Sequence, residues 1–166
     1  MIVLAIGANL STARFGPPAA ACAAALARLG AAGIRVAALS SWYTSPPDPP
    51  SDQPWFVNGA ARIETGLGPE ALLDCLHEIE AGMGRVRRRR NEPRIIDLDL
   101  VDYEGRVAPA PARPELPHPR LAERPFVLVP LAQIAPGWRD PRTGRPVEAL
   151  IQALPAGAVL RPLPMA

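Results

Sequence analysis

Two aspartates separated by a single residue, inside an otherwise apolar run, constrain the fold of this chain more than any other feature. The run covers residues 95–100 and has the sequence IIDLDL. Its length and composition are typical of a β-strand, in which successive side chains point to opposite faces. Asp97 and Asp99 are therefore predicted to stand side by side on one face of a sheet, while Ile96, Leu98 and Leu100 enter a core on the other face.

Two carboxylates a few ångströms apart repel each other unless a cation lies between or beyond them. Mg²⁺ satisfies this requirement with oxygen ligands, and it also binds substrate phosphates. The segment before the strand contains five arginines among residues 85–90, and guanidinium groups match phosphate oxygens. The combination indicates a site for a metal-complexed polyphosphate. On these residues alone, two simpler interpretations stay open: an edge strand kept soluble by surface acids, and a solvated basic face.

The length and charge of the chain limit its class. With 166 residues it is expected to form one domain spanning 1–166, and a formal net charge of +2 is too small for a general nucleic-acid binder. All 18 basic residues are arginines, which excludes lysine-based catalysis and a P-loop. The apolar run at 2–6 is too short to span a membrane. We expect a cytoplasmic monomer that binds neither nucleic acid nor membrane.

The spacing of apolar residues predicts an α+β fold. Their order is β-α-β-β-α-β, which is typical of a ferredoxin-like sandwich. A further helix at 126–134 and a C-terminal tail are appended to this unit. The predicted elements of the unit are strands at 2–6, 34–42, 55–64 and around Asp97 and Asp99, and helices at 18–29 and 69–83.

Proline and glycine predict the irregular segments. Residues 43–52 contain four prolines, and proline removes backbone donors, so this segment is expected to be an extended surface loop without regular pairing. The pair Glu104-Gly105 predicts a turn after the Asp-x-Asp strand. Beyond this turn the chain is expected to return as a hairpin towards Val107.

Separated segments of the chain carry a resemblance to a known family. They are IGANL at 6–10, SWYTSPP at 41–47, DQPWFVN at 52–58, Glu80 followed by GRVR at 84–87, PRIIDLDL at 93–100, PHPR at 117–120 and ERPF at 123–126. Together they resemble the 6-hydroxymethyl-7,8-dihydropterin pyrophosphokinases of the folate pathway, over about residues 2–136 and in the right order. Each segment alone is weakly specific, whereas the set is highly specific.

The resemblance implies a reaction and a metal-binding pair. Members of this family transfer the β,γ-pyrophosphoryl group of ATP to the hydroxymethyl oxygen of 6-hydroxymethyl-7,8-dihydropterin and release AMP, on a ferredoxin-like fold. Asp97 and Asp99 would hold two Mg²⁺ ions, which neutralise the phosphates and align the nucleophile with the leaving oxygen. ATP and the pterin would be the small-molecule partners of the chain.

The resemblance also implies substrate-binding residues. Stacking and ring-edge hydrogen bonds would hold the pterin, through Thr44, Pro46, Pro47, Phe56, Asn58 and Phe126. Arg85 and Arg94 would act beside the acid pair as catalytic residues. The nucleotide side would consist of His77, Glu80, Arg87, Arg113, His118 and Arg124. The loop at 85–92, about one residue shorter than in the family, would close over the bound substrates.

Two interpretations from other classes compete with this one. A ferredoxin-like RNA-binding module would use the arginines for phosphates and strand aromatics for bases, although the acid pair would repel such a backbone. A two-metal nucleotidyl transferase or phosphohydrolase is permitted by the Asp-x-Asp strand alone. It would have no need of an aromatic and amide pocket made from Phe56, Asn58 and Phe126.

Overall fold

An antiparallel sheet at the centre of the molecule positions every other element. The computed structural model describes residues 1–86 and 92–164. The strands follow one another across the sheet in the order β5-β1-β4-β3-β6, and β2 also pairs with β4. They are β1 (Ile2–Ala8), β2 (Arg35–Leu39), β3 (Tyr43–Ser45), β4 (Phe56–Glu64), β5 (Asp97–Tyr103) and β6 (Arg161–Pro162).

Helices cover both faces of the sheet. Each of the first three begins with a proline in its first turn, where the missing backbone N–H costs nothing. The helices are α1 (Pro18–Ala31), α2 (Pro69–Gly82), α3 (Pro125–Ile134) and α4 (Val147–Gln152), with a short 3₁₀ turn at Leu121–Glu123. Among residues 1–86 and 92–164, no helix has the length and apolar composition that a membrane span requires.

The alternation of β1 divides the buried residues into two cores. Leu4 and Ile6 point into a first core, which α1 and α2 cover. Val3 and Ala5 point to the opposite face, where α3 and α4 pack. The sequence of elements β1-α1-β2-β4-α2-β5 has the predicted ferredoxin-like order, and the α+β prediction is confirmed.

Two predictions about irregular segments are wrong. Tyr43–Ser45, expected to lie in an unpaired loop, forms β3 and pairs with β4. The prolines that argued against pairing begin only at Pro46, so the three residues before them keep their backbone donors. The turn at Glu104 and Gly105 is present, with positive φ at both residues, but the chain does not return as a strand at Val107.

A β-bulge interrupts β5 immediately after the acid pair. Leu4 of β1 pairs with Leu100, whereas Val3 pairs with Asp102, so Val101 is an extra residue. Its carbonyl accepts a hydrogen bond from the backbone N–H of His118, at 2.9 Å. Asp102 is buried beneath the second core and accepts a hydrogen bond from the indole Nε1 of Trp138, at 2.7 Å.

Candidate active site

A cavity of about 710 Å³, measured with its open mouth, lies over the ends of β1, β4 and β5 on the α3 side of the sheet. Asp97 and Asp99 line it together with three residues predicted to hold a pterin, Phe56, Asn58 and Phe126. These five residues come from two strands and a helix that are far apart in the sequence. The fold therefore brings the predicted acid pair and the predicted aromatic and amide pocket to one place.

The acid pair lies at the edge of the sheet, yet it is not a pair of solvated surface acids. Among the described residues, β5 pairs with β1 alone, while Leu98 and Leu100 point into the first core. The side chains of Asp97 and Asp99 are 13% and 33% exposed. Strand alternation places both carboxylates on one face, as predicted, and that face lines the cavity.

Asp97 is held between two arginines. Its Oδ1 accepts a hydrogen bond from Nη1 of Arg85, and its Oδ2 accepts one from Nη1 of Arg94. Burial would raise the pKa of the Asp97 carboxyl, but the charges of Arg94 and Arg85 outweigh it and lower that pKa below its usual value. Asp97 is therefore ionised over the whole physiological range.

Glu80 supports this arrangement from α2. Its side chain is 2% exposed, and Oε1 accepts hydrogen bonds from Nη1 of Arg85 and from the backbone N–H of Leu98, both at 2.7 Å. A buried carboxylate is retained only where such donors compensate its desolvation. Glu80 consequently fixes both the guanidinium of Arg85 and the position of the strand between the two aspartates.

Asp99 is in a different electrostatic environment. Among the described residues, the guanidinium Nη1 of Arg124 lies 3.6 Å and the imidazole Nε2 of His118 lies 3.9 Å from its Oδ2. Burial and the negative charge of Asp97 raise the pKa of Asp99 to about 7, and the charge of Arg124 offsets only part of this. A carboxyl with this pKa is only partly ionised at neutral pH, so a cation placed beside Asp99 would favour its ionised form.

His118 is a neutral imidazole that can donate a hydrogen bond. Burial and the neighbouring Arg124 charge lower the pKa of its imidazole to about 4. Its Nδ1 accepts a hydrogen bond from the backbone N–H of Arg120, at 3.2 Å, which places the proton of the neutral ring on Nε2, on the side of Asp99.

Arg124 has a donor that none of the described residues satisfies. Within residues 1–86 and 92–164, its Nε is buried and has no hydrogen-bond acceptor. A buried unsatisfied donor is rare in a folded protein, because it costs the full desolvation of the group. This donor therefore indicates a place where an oxygen atom of a bound ligand could accept a hydrogen bond.

The pocket on the β4 side is apolar with one polar edge. Asn58 is 5% exposed, and its Nδ2 donates a hydrogen bond to Oγ of Ser45 in β3, at 2.9 Å. Gly7 of β1 pairs with Asn58 on one side and with Asp97 on the other. Because Gly7 has no side chain, the floor between the amide and the acid pair stays open.

The remaining predicted residues lie in several places. Pro46 and Pro47 line the cavity, whereas Thr44 does not, and the Thr44 hydroxyl donates to the carbonyl of Arg161 at 3.5 Å. Arg113 is exposed and forms an ion pair with Asp74 of α2, at 2.7 Å. His77, also on α2, does not line the cavity. Arg87 lies outside the described residues, as does most of the predicted loop at 85–92.

Sequence reasoning missed part of the site. Ser45 was placed in an irregular loop, and Gln53 was given no role, yet both line the cavity. Asn9 appeared only as part of a motif, although its buried side chain joins two segments of the site. A buried polar residue directly after a central strand was the signal that could have identified it.

The donor set suits Mg²⁺ bound together with phosphates. Asp97 and Asp99 offer carboxylate oxygens, the ligands that Mg²⁺ prefers. Residues 1–86 and 92–164 contain no group of three or more His, Cys, Asp or Glu that could enclose a metal ion. Mg²⁺ characteristically takes one or two carboxylates and completes its shell with water and substrate oxygens, so this acid pair fits it.

Comparison with known proteins places these residues in a family. Residues 3–136 match the family described as 7,8-dihydro-6-hydroxymethylpterin-pyrophosphokinase. A protein of Synechocystis sp. named "2-amino-4-hydroxy-6-hydroxymethyldihydropteridine pyrophosphokinase" is 42% identical over 158 residues, which are 95% of this chain and 77% of that protein.

Two further relatives extend the comparison. A Methylorubrum extorquens protein with the same name is 48% identical over 134 residues, or 80% of this chain and 81% of the relative. The "Folate synthesis bifunctional protein, mitochondrial" of Pisum sativum is 38% identical over 133 residues, which are 80% of this chain and 25% of the longer plant protein. The matched stretch contains both the acid pair and the aromatic pocket.

Proposed function

The chain belongs to the 7,8-dihydro-6-hydroxymethylpterin-pyrophosphokinase family, and from this premise we propose that the cavity above β5 is where it transfers pyrophosphate from ATP to 6-hydroxymethyl-7,8-dihydropterin. The reaction releases AMP and belongs to folate biosynthesis. The observation that supports this location of the active site is that the acid pair and the aromatic and amide pocket line a single cavity. The RNA-binding and hydrolase interpretations of the sequence account for only part of this combination.

The acid pair is proposed to hold two Mg²⁺ ions. When bound, these ions supply neutralisation of the phosphate charge and activation of the attacking hydroxyl. Asp97 stays ionised beside Arg85 and Arg94, and a cation held beside Asp99 would lower the raised pKa of that carboxyl. The two aspartates thereby fix the reacting groups at the floor of the cavity.

The pterin is proposed to lie on the β4 side of the cavity. Phe56 and Phe126 present aromatic surface to a flat heterocycle, and Asn58 offers an amide to its ring edge. The Asn58 amide is already oriented by Ser45, so little conformational freedom is lost when the pterin binds. The segment at Pro46 and Pro47 completes the wall.

The triphosphate is proposed to lie on the arginine side. Nε of Arg124, which is buried without an acceptor among the described residues, and the Nε2–H of His118 can donate to phosphate oxygens. Arg85 and Arg94 are positioned by Asp97 next to the same region. Fixed donors of this kind stabilise the charge that develops during phosphoryl transfer. By resemblance, Glu80, His77, Arg87 and Arg113 are assigned to the nucleotide side as well.

Nucleophile and phosphorus are brought into line by the two halves of the site. The pterin side and the phosphate side meet at the acid pair, with the open floor at Gly7 between them. Direct attack by the hydroxymethyl oxygen needs no covalent intermediate on the protein. Positioning and charge stabilisation therefore account for the catalysis we propose.

The test is AMP formation from ATP and Mg²⁺, with and without 6-hydroxymethyl-7,8-dihydropterin, with the pterin diphosphate identified by mass. We expect AMP only when the pterin is present, and no turnover in Asp97→Ala. Glu64→Ala, which removes an exposed carboxylate of β4 that pairs with Arg35, is the matched control and should behave as the wild type. Formation of ADP and phosphate independently of the pterin would rule out the proposed reaction.

A further inference from the structure

The sheet does not end at β3, because residues near the end of the chain add a short outer strand. Thr44 pairs with Arg161, and Tyr43 pairs with Pro162. The backbone N–H of Leu163 donates to the carbonyl of Trp42, at 2.8 Å, and the Leu163 side chain packs against the first core. Residues 161–163 lie beyond the stretch 3–136 that matches the family.

The strand that β6 covers carries one wall of the pterin pocket. In β3, Tyr43 pairs with Asn58 and Ser45 pairs with Phe56. Oγ of Ser45 also accepts the hydrogen bond that orients the Asn58 amide. With β4 on its inner side and β6 on its outer side, β3 is held from both edges.

A second contact joins this C-terminal tail, residues 161–163, to the segment that directly precedes β4. The guanidinium of Arg161 lies over the ring of Trp55, 5.0 Å from its centroid. Trp55 directly precedes Phe56 and is 41% exposed, and it does not line the cavity. Its ring therefore serves as an attachment point for the tail rather than as a cavity wall.

We propose that Arg161–Leu163 is a positioning element for the pterin. It holds β3, which pairs with Phe56 and Asn58, through backbone pairing, and it holds Trp55, which directly precedes Phe56, through the Arg161 stack. The inference rests on the proposed placement of the pterin in this cavity. It assigns to the tail an effect on the pterin alone, since the contacts that carry the argument are with β3, Trp42 and Trp55, on the pterin side of the site.

The test compares Michaelis constants in the full-length protein. Arg161→Ala should raise the KM for the pterin by about 2- to 5-fold, which corresponds to the loss of an exposed cation–π contact. The KM for ATP should stay unchanged. Arg161→Lys should recover part of the pterin affinity, because an ammonium group also binds the face of an indole. Thermal unfolding of each variant checks that the fold is intact.

A matched control and a double variant sharpen the test. Arg106→Ala removes a guanidinium that stacks on Tyr103 at 4.9 Å, outside the cavity, and should change neither Michaelis constant. Trp55→Ala should raise the pterin KM, and the Trp55→Ala, Arg161→Ala double variant should raise it no further. Titration of the pterin in the presence of Mg²⁺ and a non-hydrolysable ATP analogue should show the same pattern in Kd.

Two results would overturn the inference. The first is an unchanged pterin KM in Arg161→Ala, and the second is an equal increase in the constants for pterin and ATP, which would indicate a general loss of structure. If the proposed site itself were wrong, Asp97→Ala would retain turnover. This outcome is separate from the test of the tail, which compares the Michaelis constants of Arg161→Ala with those of the wild type.

Discussion

Asn9 and Arg94 are bound to each other through two reciprocal hydrogen bonds. Oδ1 of Asn9 accepts from the backbone N–H of Arg94, at 2.8 Å, and the carbonyl of Arg94 accepts from the backbone N–H of Asn9, at 3.0 Å. Nδ2 of Asn9 donates in addition to Oε1 of Gln53 and to the carbonyl of Pro54, at 3.1 and 3.0 Å. One buried amide thus joins the arginine segment to the segment that leads into Trp55 and β4.

Asn9→Ala should lower both stability and turnover. The substitution leaves partly buried backbone groups of Arg94 and Pro54 without their partner, which costs on the order of 1 kcal/mol in the free energy of unfolding. The kcat should fall because the guanidinium of Arg94 is no longer held beside Asp97. Urea unfolding and steady-state kinetics measure the two effects. Asn9→Asp keeps the acceptor for Arg94 and should recover part of the stability; an Asn9→Ala variant as stable as the wild type would contradict the role described.

Arg85→Ala should destabilise the protein more than Arg94→Ala, although both should impair catalysis. Arg85 is 11% exposed and bonds the buried Glu80, whereas Arg94 is 25% exposed. Removal of one member of a buried ion pair costs about 3–5 kcal/mol. Urea unfolding of the two variants without substrates provides the comparison. Equal losses of stability would show that the Arg85–Glu80 pair adds nothing beyond the contact with Asp97.

Asp99→Asn should stabilise the metal-free protein, and the gain should depend on pH. The folded pKa of Asp99 is about 7, above the value of about 3.9 for an unfolded aspartate. Ionisation therefore favours the unfolded state, and the wild type loses stability as pH rises from about 4 to about 7. The Tm difference between variant and wild type should grow over this pH interval and level off above it. Each kcal/mol of stability corresponds to roughly 2–4 °C in Tm for a chain of this size.

The measurement for Asp99 is thermal unfolding in EDTA at several pH values. Asp74→Asn removes a carboxylate that is 57% exposed and serves as the control for a simple change in net charge. A Tm difference for Asp99→Asn that is the same at pH 4.5 and pH 8 would contradict the raised pKa. Turnover should be lost in Asp99→Asn at every pH, because the proposed metal ligand is gone.

Phe126→Ala should weaken pterin binding by a larger factor than ATP binding; some effect on ATP is expected because the ring also packs against the guanidinium of Arg124, 5.7 Å from its centroid. Loss of a stacking ring removes about 0.5–1.5 kcal/mol in addition to its buried area, so the pterin KM should rise by roughly tenfold or more. Phe56→Tyr keeps the ring and should change this constant little. Phe15→Ala provides the control, since Phe15 stacks with Arg14 and Arg28 outside the cavity. Parallel changes in the KM values of pterin and ATP would argue against the assigned stacking.

Gly7→Ala should raise the pterin KM with little loss of stability. A Cβ at this position would lie 3.1 Å from Oδ1 of Asn58, so the amide must shift from the orientation that Ser45 gives it. Gly30→Ala, where a Cβ meets nothing within 4 Å, is the control and should leave both substrates unaffected. Pterin and ATP titrations measure the effect, and unchanged pterin affinity in Gly7→Ala would show that Asn58 does not contact the ring.

Periodicity predicted the parts of this protein that are regular and long. The alternation around Asp97 and Asp99 indicated which face would be buried, and the helical spacing of α2 indicated its apolar stripe, because both patterns report burial directly. The family resemblance brought Phe56 and Phe126 together before the fold was known. Neither argument depends on the exact ends of the elements.

Short pairings and single buried polar groups escaped prediction. A strand of three residues, such as Tyr43–Ser45, has too few positions to show a period, and β6 contains a proline that argues against pairing. The role of Asn9 depends on contacts with Gln53 and Arg94, which lie 44 and 85 residues away. Such contacts follow from tertiary packing and leave no local pattern in the sequence.

The bulge at Val101 makes β5 intolerant of changes in length. The extra residue provides the carbonyl that anchors His118 and moves Asp102 to the face where Trp138 lies. Deleting one residue between the acid pair and Asp102 would therefore displace the histidine anchor and the buried carboxylate together. Insertions at the exposed turn of Glu104 and Gly105 would disturb neither. Among homologous chains, gaps in an alignment should accordingly fall after Tyr103 and spare the segment from Asp97 to Asp102.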